Sequence, residues 1–252
     1  MTARFETENE FGKGMELTPE LHPVILRVLV GSHAHGLARP DSDYDYREVF
    51  AIPTSTMLSL REHQLKFAWM DQNKHTDDVG GDEIAKWLHL CAKGAPNAVE
   101  LCFAPLDEAW DPAPLTEDFN VFPSEVQQMG RRLLTHDAVK NGVIGYAMNS
   151  FRKIPEKPGK WKAGMLRVLY QGEVLLRTGD TSLAVADLPE REAELVRAAA
   201  ANEVSEGEAL DEANRVKAII ESTKRGLGLP VVPDYETVND WLLNVRREFW
   251  RA

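Results

Sequence analysis

Asp43 and Asp45 are two acids separated by one residue, at the start of an aromatic-rich segment (YDYREVF). On an extended strand, residues i and i+2 face the same side, with backbones about 7 Å apart. Two carboxylates so placed can converge on hard divalent cations. Magnesium takes oxygen ligands, usually one or two protein carboxylates with phosphate oxygens and water completing its shell. Paired ions activate an attacking hydroxyl and stabilise a leaving pyrophosphate in an in-line displacement. Upstream, Gly31-Ser32 ends an apolar run. Glycine lets the backbone approach a phosphate, the serine adds a hydroxyl donor, and the following N–H groups can cradle an anion. Gly-Ser or Asp-x-Asp alone carries little weight. Together, after an apolar strand, they form what nucleotidyl transfer requires: a phosphate-holding turn beside metal-holding acids.

Other residues frame this pair. His33 and His35 flank the turn and read either as lining for a triphosphate pocket or as turn residues. An H-x-H at a strand end also opens many binuclear zinc hydrolases, which is the rival enzyme reading. It needs further ligands, yet His22, His63, His75, His89 and His136 show no paired spacing. Arg39 and Arg47 carry guanidinium forks that match phosphate oxygens. Lys140, Lys153 and Arg167 fall on later helices expected to close over a nucleotide, where Tyr146 and Trp161 are candidates to stack on a base. Arg152, Lys153, Lys157, Lys160 and Lys162 surround a single acid, Glu156, and read as a solvated loop or a local basic cleft. Such a cleft matters because the net charge of −11 argues against nonspecific coating of a duplex.

The elements that must position these residues follow from the pattern. The 252 residues, 43% hydrophobic and 27% charged, suit a folded globular chain. No apolar run approaches the ~20 residues that span a bilayer, and Cys91 and Cys102 sit in apolar contexts as reduced core thiols, so a cytoplasmic setting without membrane contact is expected. Residues 1–17 read as a loose leader, with Thr18 and Pro19 as a helix start. Val24–Val30 predicts a buried strand, and further extended segments are predicted at Tyr44–Ile52, Lys66–Met70 and Thr76–Gly80. Asp82–Cys91 has helical spacing, Asn97–Phe103 reads as helix or strand, and the proline-rich residues 104–123 read as a long loop. Five helices follow, at Ser124–Phe151, Lys162–Thr178, Pro189–Asn202, Ser205–Arg225 and Tyr235–Trp250, the fourth opening on a Ser205/Glu208 capping box and closed by Gly226, Gly228 and Pro230. The architecture predicted is α/β over residues 18–120 and all-helical over residues 121–252.

The stretch VLVGSHAHGLARPDSDYDYREVF resembles the nucleotidyltransferase motif of the DNA polymerase beta-like superfamily, in its RNA-ligase-associated, RNA-repair branch. The resemblance continues through DEIAKWLHLCAKGAPNAVELCFAP, KWKAGMLRVLYQGEVLLRTGD and GLPVVPDYETVNDWLLNVRREF, and so covers most of the chain. It implies the small mixed sheet of that superfamily followed by a helical C-terminal domain, a nucleoside triphosphate substrate, two Mg2+ ions (replaceable by Mn2+), and transfer of a nucleoside monophosphate to a hydroxyl. An RNA 3′ end is the acceptor it favours, with functional association with an RNA ligase, while the acidic balance favours a small molecule, a protein hydroxyl or a confined RNA end. It also implies a third carboxylate from a later strand: Asp78, with Asp77 the alternative, while Asp82 and Glu83 read as helix N-terminal charge. Lys93 and Asn97 share a turn with the branch. Two positions depart from it: Glu48 replaces a common glycine, and Gly164 replaces a frequent histidine three residues before Arg167. A noncatalytic nucleotide-binding module of the same fold is the alternative from another class. Base choice and oligomeric state are not encoded in these motifs.

Overall fold

Val24–Val30 forms strand β1, whose Ile25, Leu26, Val28 and Val30 are buried. β-branched and leucine side chains favour this half-buried pleated surface. The computed structural model describes residues 23–250 apart from 61, 62, 64, 70–76, 108, 109 and 113; the leader and the Thr18–Pro19 helix start lie outside these residues, as do His22, His75 and Met70. β1 runs into a single helical turn, α1 (Gly31–Ala34), and then β2 (Asp45–Phe50), the short α2 (Thr54–Met57), β3 (Lys66–Trp69) and β4 (Asp78–Glu83). The strands form one mixed sheet in the order β1-β2-β4-β3, with β2 and β4 parallel and the two outer pairings antiparallel.

The predicted strands are present, but β4 extends to Glu83, beyond the expected Gly80. Asp82 is therefore a strand residue, and Glu83 is the N-cap of α3 (Ile84–Ala92), its carboxylate accepting from the Ala85 N–H at 2.8 Å. Helix α4 (Pro96–Phe103) resolves the helix-or-strand alternative, with Pro96 in its first turn. Where one helix was expected over Ser124–Phe151 there are two, α5 (Pro123–Leu133) and α6 (His136–Arg152). The chain is extended at Leu134 and Thr135, and the Thr135 hydroxyl caps α6 by accepting from Ala138 N. Pro158 starts α7 (Pro158–Thr178) four residues before the apolar pattern does. A 3-10 turn (Val185–Asp187), α8 (Glu190–Ala200), α9 (Glu206–Ser222) and α10 (Tyr235–Glu248) complete the chain. Both halves of the predicted capping box form at Ser205 and Glu208. The helix they open ends at Ser222, ahead of the glycines, where Thr223 is already extended.

An α/β N-terminal part is thus followed by a helical C-terminal part. One hydrophobic cluster runs through both, from Ile25 and Trp87 to Leu169, Val216 and Phe249. Cys91 and Cys102 lie inside it as free thiols with sulfurs 3.7 Å apart, and burial together with the neighbouring sulfur pushes the Cys91 thiol well above its usual range. No helix of the described residues is long and apolar enough to cross a membrane.

Candidate active site

Strand register brings the acids together. Asp45, the first residue of β2, is paired with Val30 at the end of β1 and with Asp78 at the start of β4. The Asp78 N–H is fixed by a 2.9 Å bond to Tyr44 O. Residues aligned across a pleated sheet share a face, so Asp45 and Asp78 project side by side, next to the point where β1 turns into Gly31. Gly31 has φ of 70°, the left-handed region, and a Cβ there would collide with Asp45 Oδ2. Glycine is thus needed both for the turn and for the carboxylate packed against it. Asp43 lies two residues before β2, outside the ladder, so the two acids do not share one strand as the sequence pattern predicts.

Burial, then Asp78, raise the Asp45 carboxyl above its ordinary value; Lys160 and Arg47 oppose this, and Asp43 adds a smaller push upward. The order is informative. Asp78, 33 positions away in sequence, acts on Asp45 more strongly than Asp43 does. Like charges at close range favour protonation or a bound cation. The donor set is all oxygen, which fits magnesium. Among the described residues no group of three histidine, cysteine or acidic side chains closes on a common metal position. The alternatives for the third acid are engaged or exposed: Asp82 pairs with Lys86 at 2.8 Å, Glu83 is buried against Arg246, and Asp77 is exposed.

The two histidines do different work. His33 Nε2 lies 3.1 Å from Ser42 O, and its ring stacks on Tyr44 at 3.9 Å with planes 6° apart. It therefore holds both neighbours of Asp43. His35 is buried, with Nδ1 3.1 Å from Leu183 O and Nε2 3.5 Å from Glu100. Burial and Arg167 lower its pKa to about 4, so the ring is neutral near neutrality. Nothing in this arrangement turns the two imidazoles toward one zinc ion.

Of the basic candidates, Arg47 shares the Asp45 face of β2 and stands opposite Gly80. Arg39 is exposed and donates to Ala200 O at 3.2 Å. Arg167 is buried, bonded to Glu100 at 2.7 Å and to Gln171 at 2.8 Å, and so belongs to the network behind the turn. A mostly apolar cavity lined by Val99, Val143, Arg167 and Leu183 includes none of the three aspartates. Lys140 and Lys153 lie 13 residues apart on α6, about 20 Å at the helical rise, too far to hold one nucleotide together. Lys140 faces Asp137 at 3.9 Å, whereas Lys153 sits over the Trp161 ring at 4.7 Å. Trp161 is half-buried beneath that lysine, and Tyr146, whose hydroxyl burial pushes up, lies by Arg167 and Glu100. Lys162 leaves the basic cluster altogether: it is buried and donates to Val204 O. Glu48 is buried on the other face of β2, its carboxyl raised by burial and steadied by cross-strand Arg27 at 3.8 Å. Sequence reasoning grouped Lys160 with the basic cluster around Glu156 and not with the aspartates.

The family model for the RNA repair pathway DNA polymerase beta family matches residues 3–244. The chain belongs to that family. An 86-residue stretch is 29% identical to an uncharacterized 38.9 kDa protein in the nrdC-mobD intergenic region of Enterobacteria phage T4, covering 32% of this chain and 26% of that protein. The chain thus matches only about a quarter of that relative's length. Membership in the polymerase beta-like RNA repair family agrees with the strand-end arrangement of turn and acids.

Proposed function

We propose that the chain is a magnesium-dependent nucleotidyltransferase that moves a nucleoside monophosphate from a nucleoside triphosphate to an acceptor hydroxyl, with an RNA 3′ end as the favoured acceptor. The observation that carries this is the register pairing of Asp45 with both the Val30–Gly31 strand end and Asp78. Asp43 and Asp45 would hold two magnesium ions and Asp78 would complete the shell of one. Bound there, the ions would supply activation of the acceptor hydroxyl and charge neutralisation at the leaving pyrophosphate. Gly31 lets the backbone reach the β- and γ-phosphates, Ser32 offers a hydroxyl to them, and Arg47 sets a guanidinium on the same face. Asp78 would accept the proton of the attacking hydroxyl. Manganese would serve the same oxygen donors, and functional association with an RNA ligase belongs to this reading.

The test is incubation with each labelled triphosphate and magnesium, with RNA, DNA or no acceptor, following label transfer and pyrophosphate. The first prediction is that Asp43→Ala with Asp45→Ala abolishes both while leaving the thermal transition in place. Near wild-type turnover by the double variant would refute the assignment. Nucleotide binding without magnesium-dependent pyrophosphate release by the wild type would favour a noncatalytic module.

A further inference from the structure

The chain carries 40 acidic and 29 basic residues, and several of its surface bases are paired with acids. Arg132 meets Asp234, Arg177 meets Glu173, Arg191 and Arg215 meet Glu212, Arg225 meets Asp137, and Lys86 meets Asp82. The corner between α6 and α7 is different. Arg152, Lys157 and Lys160 are exposed there, and among the described residues none of them makes an ion pair. Glu156 is the one acid in the segment. Cations gathered without acidic partners form a local positive patch on a chain of net charge −11, and such a patch attracts a polyanion.

This corner meets the loop that leads to Asp43. A Cβ on Gly159 would press on Ala200 O at 2.6 Å, and Arg39, from the loop that leads to Asp43, donates to the same carbonyl. The start of α7 and the loop after the phosphate turn therefore meet at one point, which puts Arg39 at the same corner. A triphosphate tail is a short, compact anion, and Arg47 already serves the strand face. Cations spread from Arg152 to Lys160 and across to Arg39 match the repeated charges of an extended strand. We infer that the α6–α7 corner, with Arg39, is the docking surface for the single-stranded RNA whose 3′ hydroxyl enters the site. This rests on the transferase reading for its purpose.

The experiment measures anisotropy of a short 5′-labelled single-stranded RNA with a free 3′ hydroxyl, without triphosphate, across a salt series. Wild type is compared with the triple variant Arg152→Gln, Lys157→Gln, Lys160→Gln and with Glu156→Lys. Removing three phosphate contacts should weaken binding by on the order of tenfold or more and flatten the log–log salt slope by about 2, at ~0.7 per contact. Glu156→Lys, an exposed change that leaves the fold alone, should tighten binding severalfold and steepen the slope. An unchanged RNA affinity in both variants, no RNA binding by the wild type, or a loss confined to triphosphate affinity would each overturn the proposal. Binding needs no turnover, so the two ideas separate. RNA binding without magnesium-dependent pyrophosphate release sinks the transferase reading alone, whereas turnover with RNA affinity unaltered in the variants sinks the docking surface alone.

Discussion

At the scale of single residues, the acids are set by neighbours that do no chemistry themselves. His33 donates from Nε2 to the carbonyl before Asp43 and stacks on the ring after it, so its loss frees the segment that carries Asp43. Supporting groups around metal ligands typically matter 10- to 100-fold in affinity or activity. His33→Ala should accordingly reduce turnover roughly 10- to 100-fold, measured as kcat over a magnesium titration, with His33→Phe restoring part by keeping the stack. An unchanged magnesium dependence would show that Asp43 needs no brace. His35 gives a prediction about pH. Its folded pKa, about 4, lies below the unfolded value of 6.5, so the unfolded chain binds the proton more readily. The neutral ring's contribution is whole above 6.5 and is lost as pH falls toward 4. Between about pH 7 and about pH 5 this removes on the order of 2 kcal/mol. Raised carboxyls such as Glu48 act in the opposite sense, so the check is a difference: urea midpoints of wild type should fall relative to His35→Gln across that window. The residue types of the candidate site could be proposed from sequence because metal and phosphate chemistry restricts them. Roles such as that of His35 were not, because its partner Leu183 lies 148 positions away.

At the scale of elements, periodicity marked where strands and helices are, and local capping decided where they stop. The split between α5 and α6 escaped an apolar pattern that continues through it, because the decisive features are the extended Leu134 and the Thr135 cap. Lys153 and Lys140 looked equivalent as helical lysines; only the assembled helix puts them at opposite ends. A different device joins the two halves. Gly94, after α3, has φ of 65°, and a Cβ on it would strike the Ala138 carbonyl and approach Val139 N at 2.6 Å. A Cβ on Gly142, one turn along α6, would in turn strike Gly94 O. Two backbones therefore touch, and neither position can give way through a flexible side chain. Gly94→Ala should destabilise the chain by about 2 kcal/mol or more, combining left-handed strain with the clash, and Gly142→Ala by a similar amount. Gly145, where nothing lies within 4 Å, is the control, and alanine there should be neutral or slightly stabilising. Thermal or urea unfolding separates these outcomes.

At the scale of the whole molecule, the chain closes on itself. Helix α10 returns to the first half, where Arg246 meets the buried carboxylate of Glu83 and donates to Ile52 O at 3.2 Å. The Thr54 hydroxyl donates to Arg246 O at 2.7 Å, and Thr54 N–H to Phe249 O at 2.9 Å. Glu83 also caps α3, so one carboxylate ties together the end of the strand that begins with Asp78, the next helix and the last one. A contact spanning 163 positions has no signature in a local pattern, which is why an α/β part followed by a helical part could be read from sequence but their clasp could not. Leaving Glu83 buried without its cation should cost about 3–5 kcal/mol, so Arg246→Ala should lower the unfolding free energy from urea titration by that amount. Pairing Arg246→Met with Glu83→Gln should recover much of it, because the uncompensated charge is then gone. With one hydrophobic cluster running through both parts, the destabilised variant should still unfold in a single transition seen alike by tryptophan fluorescence and by helical circular dichroism. Two separated transitions, or a cost below about 1 kcal/mol, would mean that α10 rests on the sheet without holding it and that β4 presents Asp78 to Asp45 unaided.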